Sequence, residues 1–253
     1  MKVFITGASS GIGEALAREF ASRGATLGLV ARRQEVLDAL IEQLPGRHYS
    51  YPVDVNDRDA LIAAGRSFDA AAGGADIVIA NAGISVGVKT EHYEDLAELE
   101  RVFRTNVFAM ASTFHAFIAP MKSRGRGTLV GIGSVAGIRG LPGSEAYCAS
   151  KSAVITYCES LRVEMKKVGV QVLTVNPGFI RTPLTAKNPY KMPFLMDAPD
   201  FARAAADAIV AGRSYVVIPW QMGWVAKLLR VLPNALFDKV TGKRKQKPRA
   251  TAG

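Results

Sequence analysis

The sequence is poor in the residues that build metal centres and covalent frameworks. It holds two cysteines, Cys148 and Cys158, which fall within one stretch of helical periodicity. That placement gives neither a disulfide scaffold nor a metal-ligand pattern, and both thiols are expected to be reduced packing groups. Three histidines, His48, His92 and His115, stand far apart with no cysteine or carboxylate at ligand spacing, so no metal site is expected. Long apolar runs are missing too. The amino-terminal stretch Val3-Phe4-Ile5 is far shorter than a secretory core and has no small-residue cleavage site behind it, which makes a cytoplasmic location the expectation.

Acidic residues are also scarce, 22 against 32 lysines and arginines, for a formal net charge of +10. The imbalance is local. From Lys227 onward eight basic residues (Lys227, Arg230, Lys239, Lys243, Arg244, Lys245, Lys247 and Arg249) face one acidic residue, Asp238, and supply seven of the ten charges. The remainder is close to balanced, so the charge is no argument for a nucleic-acid-binding body, and no nucleic-acid partner is expected.

What the sequence does have is a hydrophobic fraction of 49% in 253 residues, enough for one large core. Short apolar runs alternate with helical patterns: Val3 to Thr6, Thr26 to Val30, His48 to Val53, Ile77 to Ala80, Thr128 to Ile132, Val170 to Val175 and Tyr215 to Ile218 read as strands. Between them lie helical patterns, among them Asp57 to Phe68, Leu96 to Ile118 ending near Pro120, Ala146 to Lys167 and a last helix from Asp200 to Ala211. Such alternation predicts an α/β fold, a doubly wound (Rossmann) parallel sheet with helices on both faces in a single domain, 1–219. Within it, 183–199 carries Pro183, Pro189, Pro193 and Pro199 among apolar residues. This segment is read as an irregular substrate-binding lid with no regular helix or strand.

The chemistry concentrates at strand ends. Gly7, Gly11 and Gly13, with Ser9, Ser10 and Ile12 between them, open a helix directly after a strand, where backbone amides can approach a pyrophosphate. The second strand ends in Arg32-Arg33 with no carboxylate before Glu35, which favours NADP(H) over the cofactor lacking the ribose phosphate. Tyr147 and Lys151 are one helical turn apart, so an ammonium can lie beside a phenol and lower its pKa for proton transfer. Ser134, at the carboxyl end of another strand, offers a hydroxyl to a substrate oxygen.

Together with Asp54-Val55, Asn81-Ala82-Gly83, Asn106 and Pro177-Gly178-x-Ile180-x-Thr182, in this order, the sequence resembles the short-chain dehydrogenase/reductase family. The matches run to Thr182, and the likeness of fold is expected to reach Pro219. The resemblance implies that Tyr147 is the general acid in reduction and base in oxidation, that Lys151 also binds the nicotinamide ribose, that Ser134 orients the substrate oxygen and that Asn106 holds a relay water. It further implies adenine contact by Asp54, adenosine contact by Asn81 and Ala82, and carboxamide contact by Pro177, Ile180 and Thr182. A small-molecule carbonyl or alcohol is the implied substrate. In the family the helices here bearing Leu99, Val102, Phe103, Val107 and Met110 and Ala153, Val154, Tyr157, Leu161 and Met165 commonly join copies, so a homodimer or homotetramer is expected.

From Trp220 the sequence departs from that pattern. Segment 220–253 places Trp224, Leu228, Val231 and Leu232 at helical spacing beside Lys227 and Arg230, before the basic tail. It is too short and interrupted to span a bilayer. One reading packs it over the substrate cleft or an oligomer interface, with a disordered, solvated tail; the other lays 220–249 on a membrane surface. Either suits a lipophilic substrate. A different class of function, a catalytically silent NADP-binding regulator or membrane-docked interaction protein, would be expected to lose the tyrosine, lysine or serine, and none is lost.

Overall fold

The computed structural model describes residues 1–242 and 246–249. Strand β1 (Lys2–Thr6) leads through the glycine loop into helix α1 (Gly11–Ser22), followed by β2 (Thr26–Ala31), α2 (Gln34–Glu42), β3 (His48–Pro52), α3 (Arg58–Ala72) and β4 (Ile77–Ala80). The second half runs α4 (Asp95–Phe103), a π turn (Arg104–Phe108), α5 (Ala109–Arg124), β5 (Gly127–Ile132), a 3-10 turn (Val135–Gly137), α6 (Glu145–Lys166) and β6 (Val170–Pro177). It closes with β7 (Ile180–Arg181), α7 (Pro183–Ala186), β8 (Met196–Asp197), α8 (Ala198–Val210), β9 (Tyr215–Ile218), α9 (Trp220–Val231) and α10 (Asn234–Thr241).

Seven parallel strands form one sheet in the order β3-β2-β1-β4-β5-β6-β9. The chain winds outward from β1 in one direction, then returns to β4 and winds in the other. A crevice opens where the directions part, at the carboxyl ends of β1 and β4.

The alternation of side chains along a strand divides the core in two. Val3 and Ile5 of β1 face Leu16 and Phe20 of α1 and Phe201 and Ile209 of α8. Phe4, between them, faces the opposite layer with Phe68 of α3, Phe114 and Phe117 of α5, and Cys158 of α6. The ring of Phe4 lies 4.9 Å from Phe117 and 5.6 Å from Phe68. Gly28 of β2 is what admits these rings, since a Cβ there would stand 2.6 Å from Phe68.

Several expectations need correction. Helix α5 continues through Pro120 to Arg124 and stops at Gly125, whose φ is +64°. Proline removes one helical hydrogen bond, but the added turn buries Met121 completely. The segment 183–199 is not wholly irregular: Pro183 opens the short helix α7, where its fixed φ suits a first turn, and β8 pairs with β7. The helix beginning at Ala198 is not the last, since α9 and α10 follow. Val102, Met110, Val154, Leu161 and Met165 are buried in the protomer's own core, leaving Phe108, Tyr157 and Val163 outward on these helices.

The tail is also more engaged than a solvated strand. Arg249 donates from Nε to Asp95 Oδ2 at 2.8 Å and from Nη2 to Glu94 Oε1 at 2.9 Å. Asp95 is 1% exposed, and a carboxylate buried to that degree demands a charged partner. Lys247 bonds Ser85 Oγ at 2.9 Å. Lys243, Arg244 and Lys245 and the residues 250–253 lie outside the described residues.

The aromatic layer yields a stability prediction. Phe117→Ala removes a fully buried ring from the Phe4 and Phe68 cluster and is expected to cost about 3–5 kcal/mol. Urea denaturation should show a lower midpoint with an unchanged slope; a shift under 1 kcal/mol, by contrast with this roughly 3–5 kcal/mol, would mean the cluster is not packed this way.

Candidate active site

The crevice is held open by a tie between its two strands. Thr6, at the end of β1, accepts hydrogen bonds at Oγ1 from the amides of Asn81 and Ala82, both at 3.1 Å, just beyond β4. Asn81 returns the contact, its Nδ2 donating to Thr6 O at 2.9 Å and Gly7 O at 3.2 Å. Gly7 and Gly11 have φ of +69° and +59°, the left-handed region that favours glycine. Gly13 needs its lack of a side chain for another reason: a Cβ there would stand 2.1 Å from Gly7 O. The loop and helix α1 thus close tightly on β4. Ser10 caps α1 in an extended conformation without a side-chain bond, leaving the first amides of the helix to other acceptors.

A cleft of about 650 Å³ runs along these strand ends, within the range of sites that hold small molecules and cofactors, roughly 300–1,000 Å³. Gly7, Ser9, Ser10, Gly11 and Ile12 form one wall with Arg32. Asp54, Val55, Asn81, Ala82 and Gly83 line the middle, and Ser134, Tyr147, Lys151, Pro177, Gly178, Ile180 and Thr182 line the far end. Tight glycine walls, open helix amides and a basic residue at one end fit a dinucleotide with its phosphates.

Three residues singled out from the sequence stand back from the lining. Gly13 acts behind the loop. Arg33 is the cap of α2, exposed to solvent. Asn106, in the π turn, is buried, with Oδ1 accepting from Ile84 N at 2.8 Å and Nδ2 donating to Ile84 O at 3.0 Å and Ser150 Oγ at 2.9 Å. Its amide braces the backbone at Ile84, beside Gly83.

The lining also includes Leu184 and Thr185, from the segment read as a lid, and Asn56, Arg101 and Thr105, which sequence reasoning missed. Thr105 donates to Asn56 Oδ1 at 3.2 Å, and Asn56 in turn donates to Asp54 Oδ1 at 2.9 Å. Arg101, on α4, and Thr105, in the π turn, are one turn apart just before Asn106, the one signal that could have located them.

At the far end the titratable groups are strongly perturbed. Lys151 is almost wholly buried and donates from Nζ to Ile132 O at 2.7 Å. Burial draws its ammonium down to about 8, well below an ordinary lysine. Tyr147 shows part of its surface to the cleft, yet enough protein surrounds it to push the phenol up to about 12, with a hydrogen bond from Ser134 pulling the other way. The expectation that Lys151 lowers the phenol is not met here. Its Nζ lies 5.9 Å from the ring centroid and is engaged with Ile132, so burial outweighs it.

This strand order and loop geometry coincide with a known family. The family model for short chain dehydrogenase matches residues 1–192. The chain belongs to the short-chain dehydrogenase family. It is 41% identical to an uncharacterized oxidoreductase of Myxococcus xanthus over 92% of this chain and 93% of that protein. A sulfoacetaldehyde reductase of Chromohalobacter salexigens is 33% identical over 94% of this chain and 91% of its own length. Among solved structures, a short-chain dehydrogenase from Sphingobium yanoikuyae in complex with NADPH superposes with a TM-score of 0.77 at 28% identity, covering 92% of this chain and 97% of that one. Membership makes the chain an oxidoreductase with a nicotinamide cofactor, and the glycine cradle of this structure fits such a group.

The buried lysine gives this dehydrogenase a pH signature. From about pH 8 up to the ordinary lysine value near 10.4, the folded protein holds Lys151 neutral while the unfolded chain holds it charged. The unfolded state then binds more protons, so stability rises with pH across that window. Urea midpoints of the cofactor-free protein at pH 7.5 and 9.5 should show this rise, and Lys151→Met should flatten it. An identical rise in both proteins would show that the ammonium is well solvated.

Proposed function

We propose that the chain is an NADP(H)-dependent dehydrogenase/reductase interconverting a carbonyl and an alcohol on a lipophilic small molecule, with Tyr147 as general acid and base. The observation that carries this reading is the convergence of Ser134, Tyr147 and Lys151 on one end of the cleft, beside Pro177 and Gly178. When bound, the nicotinamide exchanges the hydride and, in its oxidised form, brings a positive charge to this end of the site.

In reduction, charge develops on the carbonyl oxygen. The hydroxyl of Ser134 donates a hydrogen bond to that oxygen, and the phenol of Tyr147 transfers its proton to it. Burial keeps that phenol protonated at neutral pH. In oxidation the phenol must ionise, and positive charge nearby lowers its pKa. Lys151 binds the nicotinamide ribose with the donors not engaged by Ile132. Asn106 is a positioning residue, fixing Ile84 and the π turn through its own amide. Arg32 lines the adenosine end and makes no ion pair among the described residues, which leaves it for the ribose phosphate.

The lipophilic substrate rests on a second cavity of about 190 Å³. It is walled by Val135, Ile138, Phe179, Met222, Ala226 and Leu229, and its first residues adjoin Ser134 and Gly178. The sulfoacetaldehyde reductase among the relatives supports carbonyl reduction as the direction. Phe108, Tyr157 and Val163, exposed on the central helices, are proposed as the face that joins copies in a homodimer or homotetramer.

Tyr147→Phe is expected to bind NADPH within a few-fold of the parent and to lose turnover by about three orders of magnitude or more, seen as NADPH absorbance over a panel of ketones and aldehydes. Retained turnover would remove Tyr147 from its role. A parent protein that binds NADPH and turns over nothing in the panel would favour the silent regulator instead. Arg32→Ala should raise the KM for NADPH at least tenfold more than that for NADH, and equal changes would exclude it as the phosphate reader.

A further inference from the structure

Helix α9 is apolar on both sides. Its inner side, with Met222, Val225, Ala226 and Leu229, walls the second cavity. Its outer side sets Trp220, Trp224, Leu228 and Val231 in solvent at 68%, 67%, 63% and 75% exposure. The spacing places all four in one stripe. Helix α10 repeats the arrangement, turning Phe237 inward and leaving Leu236 and Val240 exposed. Single exposed apolar side chains are ordinary on a protein surface, but a stripe over two successive helices is not. It also holds both tryptophans of the chain.

Along this stretch of the sequence the charge is nearly all of one sign. Between 220 and 245 the sequence has Lys227, Arg230, Lys239, Lys243, Arg244 and Lys245 against Asp238 alone. Lys227 lies over the Trp224 ring, 5.2 Å from its centroid. Lys247 and Arg249 are engaged with Ser85 and with Glu94 and Asp95, and do not belong to this set, while Arg230 shares its guanidinium with Ile138 O at 3.2 Å. No helix among the described residues is long and apolar enough to cross a membrane.

We infer that α9 and α10 form a docking face for an anionic bilayer surface. The helices lie flat, with the tryptophans at headgroup depth, Leu228 and Val231 among the acyl chains and the basic residues against lipid phosphates. A second copy of the chain is a poorer occupant. A two-fold contact through this face would set Lys227, Arg230 and Lys239 against the same cations of the other copy.

The face is fixed to the active site. Arg139, in the loop beyond Ser134, stacks on the Phe237 ring at 4.0 Å and donates to Leu229 O, to Leu232 O at 2.6 Å and to Asn234 Oδ1 at 2.9 Å. One guanidinium thereby joins both docking helices to the loop that lines the apolar cavity. Resting on the function proposed above, this names the substrate class: a membrane-dissolved carbonyl or alcohol whose apolar part enters the cavity beneath α9.

Because the only tryptophans are Trp220 and Trp224, fluorescence excited selectively at tryptophan reports on this face alone. The full chain with NADP+ is titrated with vesicles of phosphatidylglycerol and phosphatidylcholine, or of phosphatidylcholine alone, at about 0.1 M salt. A blue shift and quenching by brominated acyl chains are expected on the anionic vesicles, with binding roughly tenfold or more weaker on the zwitterionic ones. Leu228→Asp and Lys227→Glu should each weaken anionic-vesicle binding about tenfold, while NADPH binding and turnover of a water-soluble aldehyde match the parent. No blue shift with either vesicle, or undiminished binding by Leu228→Asp, overturns the inference. So does a blue shift without vesicles that grows with protein concentration, the mark of a second copy. Turnover without vesicle binding defeats the docking face alone, whereas vesicle binding without turnover of any carbonyl defeats the enzymatic reading and leaves the face standing.

Discussion

Everything at the cleft depends on how β1 and β4 part while staying joined. Thr6 takes the amides of Asn81 and Ala82 on a single hydroxyl, and Asn81 sends its own amide back to the carbonyls of Thr6 and Gly7. Adjacent parallel strands whose connections leave in opposite directions would otherwise end in unpaired backbone groups. Here those groups are satisfied at the lip of the crevice. The lip then fixes the glycine loop, and the loop fixes the direction of α1, which closes on it only because Gly13 carries no side chain.

Burial sets the chemistry at the other end. Lys151 and Tyr147 occupy one turn of α6, but the forces on them are of different kinds. The lysine gains a carbonyl partner and loses most of its solvent, so its charge becomes costly. The tyrosine has burial favouring its neutral form, and this outweighs the serine partner, which favours the ionised one. Spacing alone suggests that the ammonium acts on the phenol. The geometry shows that whatever changes the dielectric and the charge within the cleft acts on both.

The sheet was legible because its strands are short apolar runs punctuated by glycine, proline and asparagine, and because the order of motifs along the chain follows the winding. Ser134, Tyr147, Lys151 and the glycine loop come together as their positions at strand and helix ends predict. Details that depend on tertiary packing were not legible. Proline reads as a helix end, but Pro120 is passed over because Met121 has a core to enter. Arg101 and Thr105 carry no local mark separating them from a solvated helix face, and their place at the cleft shows only in the folded structure. Asn106 is legible as a polar group of the site through the family resemblance, but that its amide braces the backbone of Ile84 is not.

The contact between Asp95 and Arg249 spans 154 positions of the chain. During synthesis the carboxylate that begins α4 emerges long before this cation does, while the amide of Lys89, which donates to its Oδ2 at 2.8 Å, is only six positions away. The ion pair that ties the tail to the start of α4 is therefore made only after all seven strands of the main sheet have been synthesised. Closing so long a loop slows folding more than it weakens the final state. One ion pair thus joins the start of α4, beside the cleft, to a residue beyond α10, so that the last part of the chain to be made is fastened to its middle.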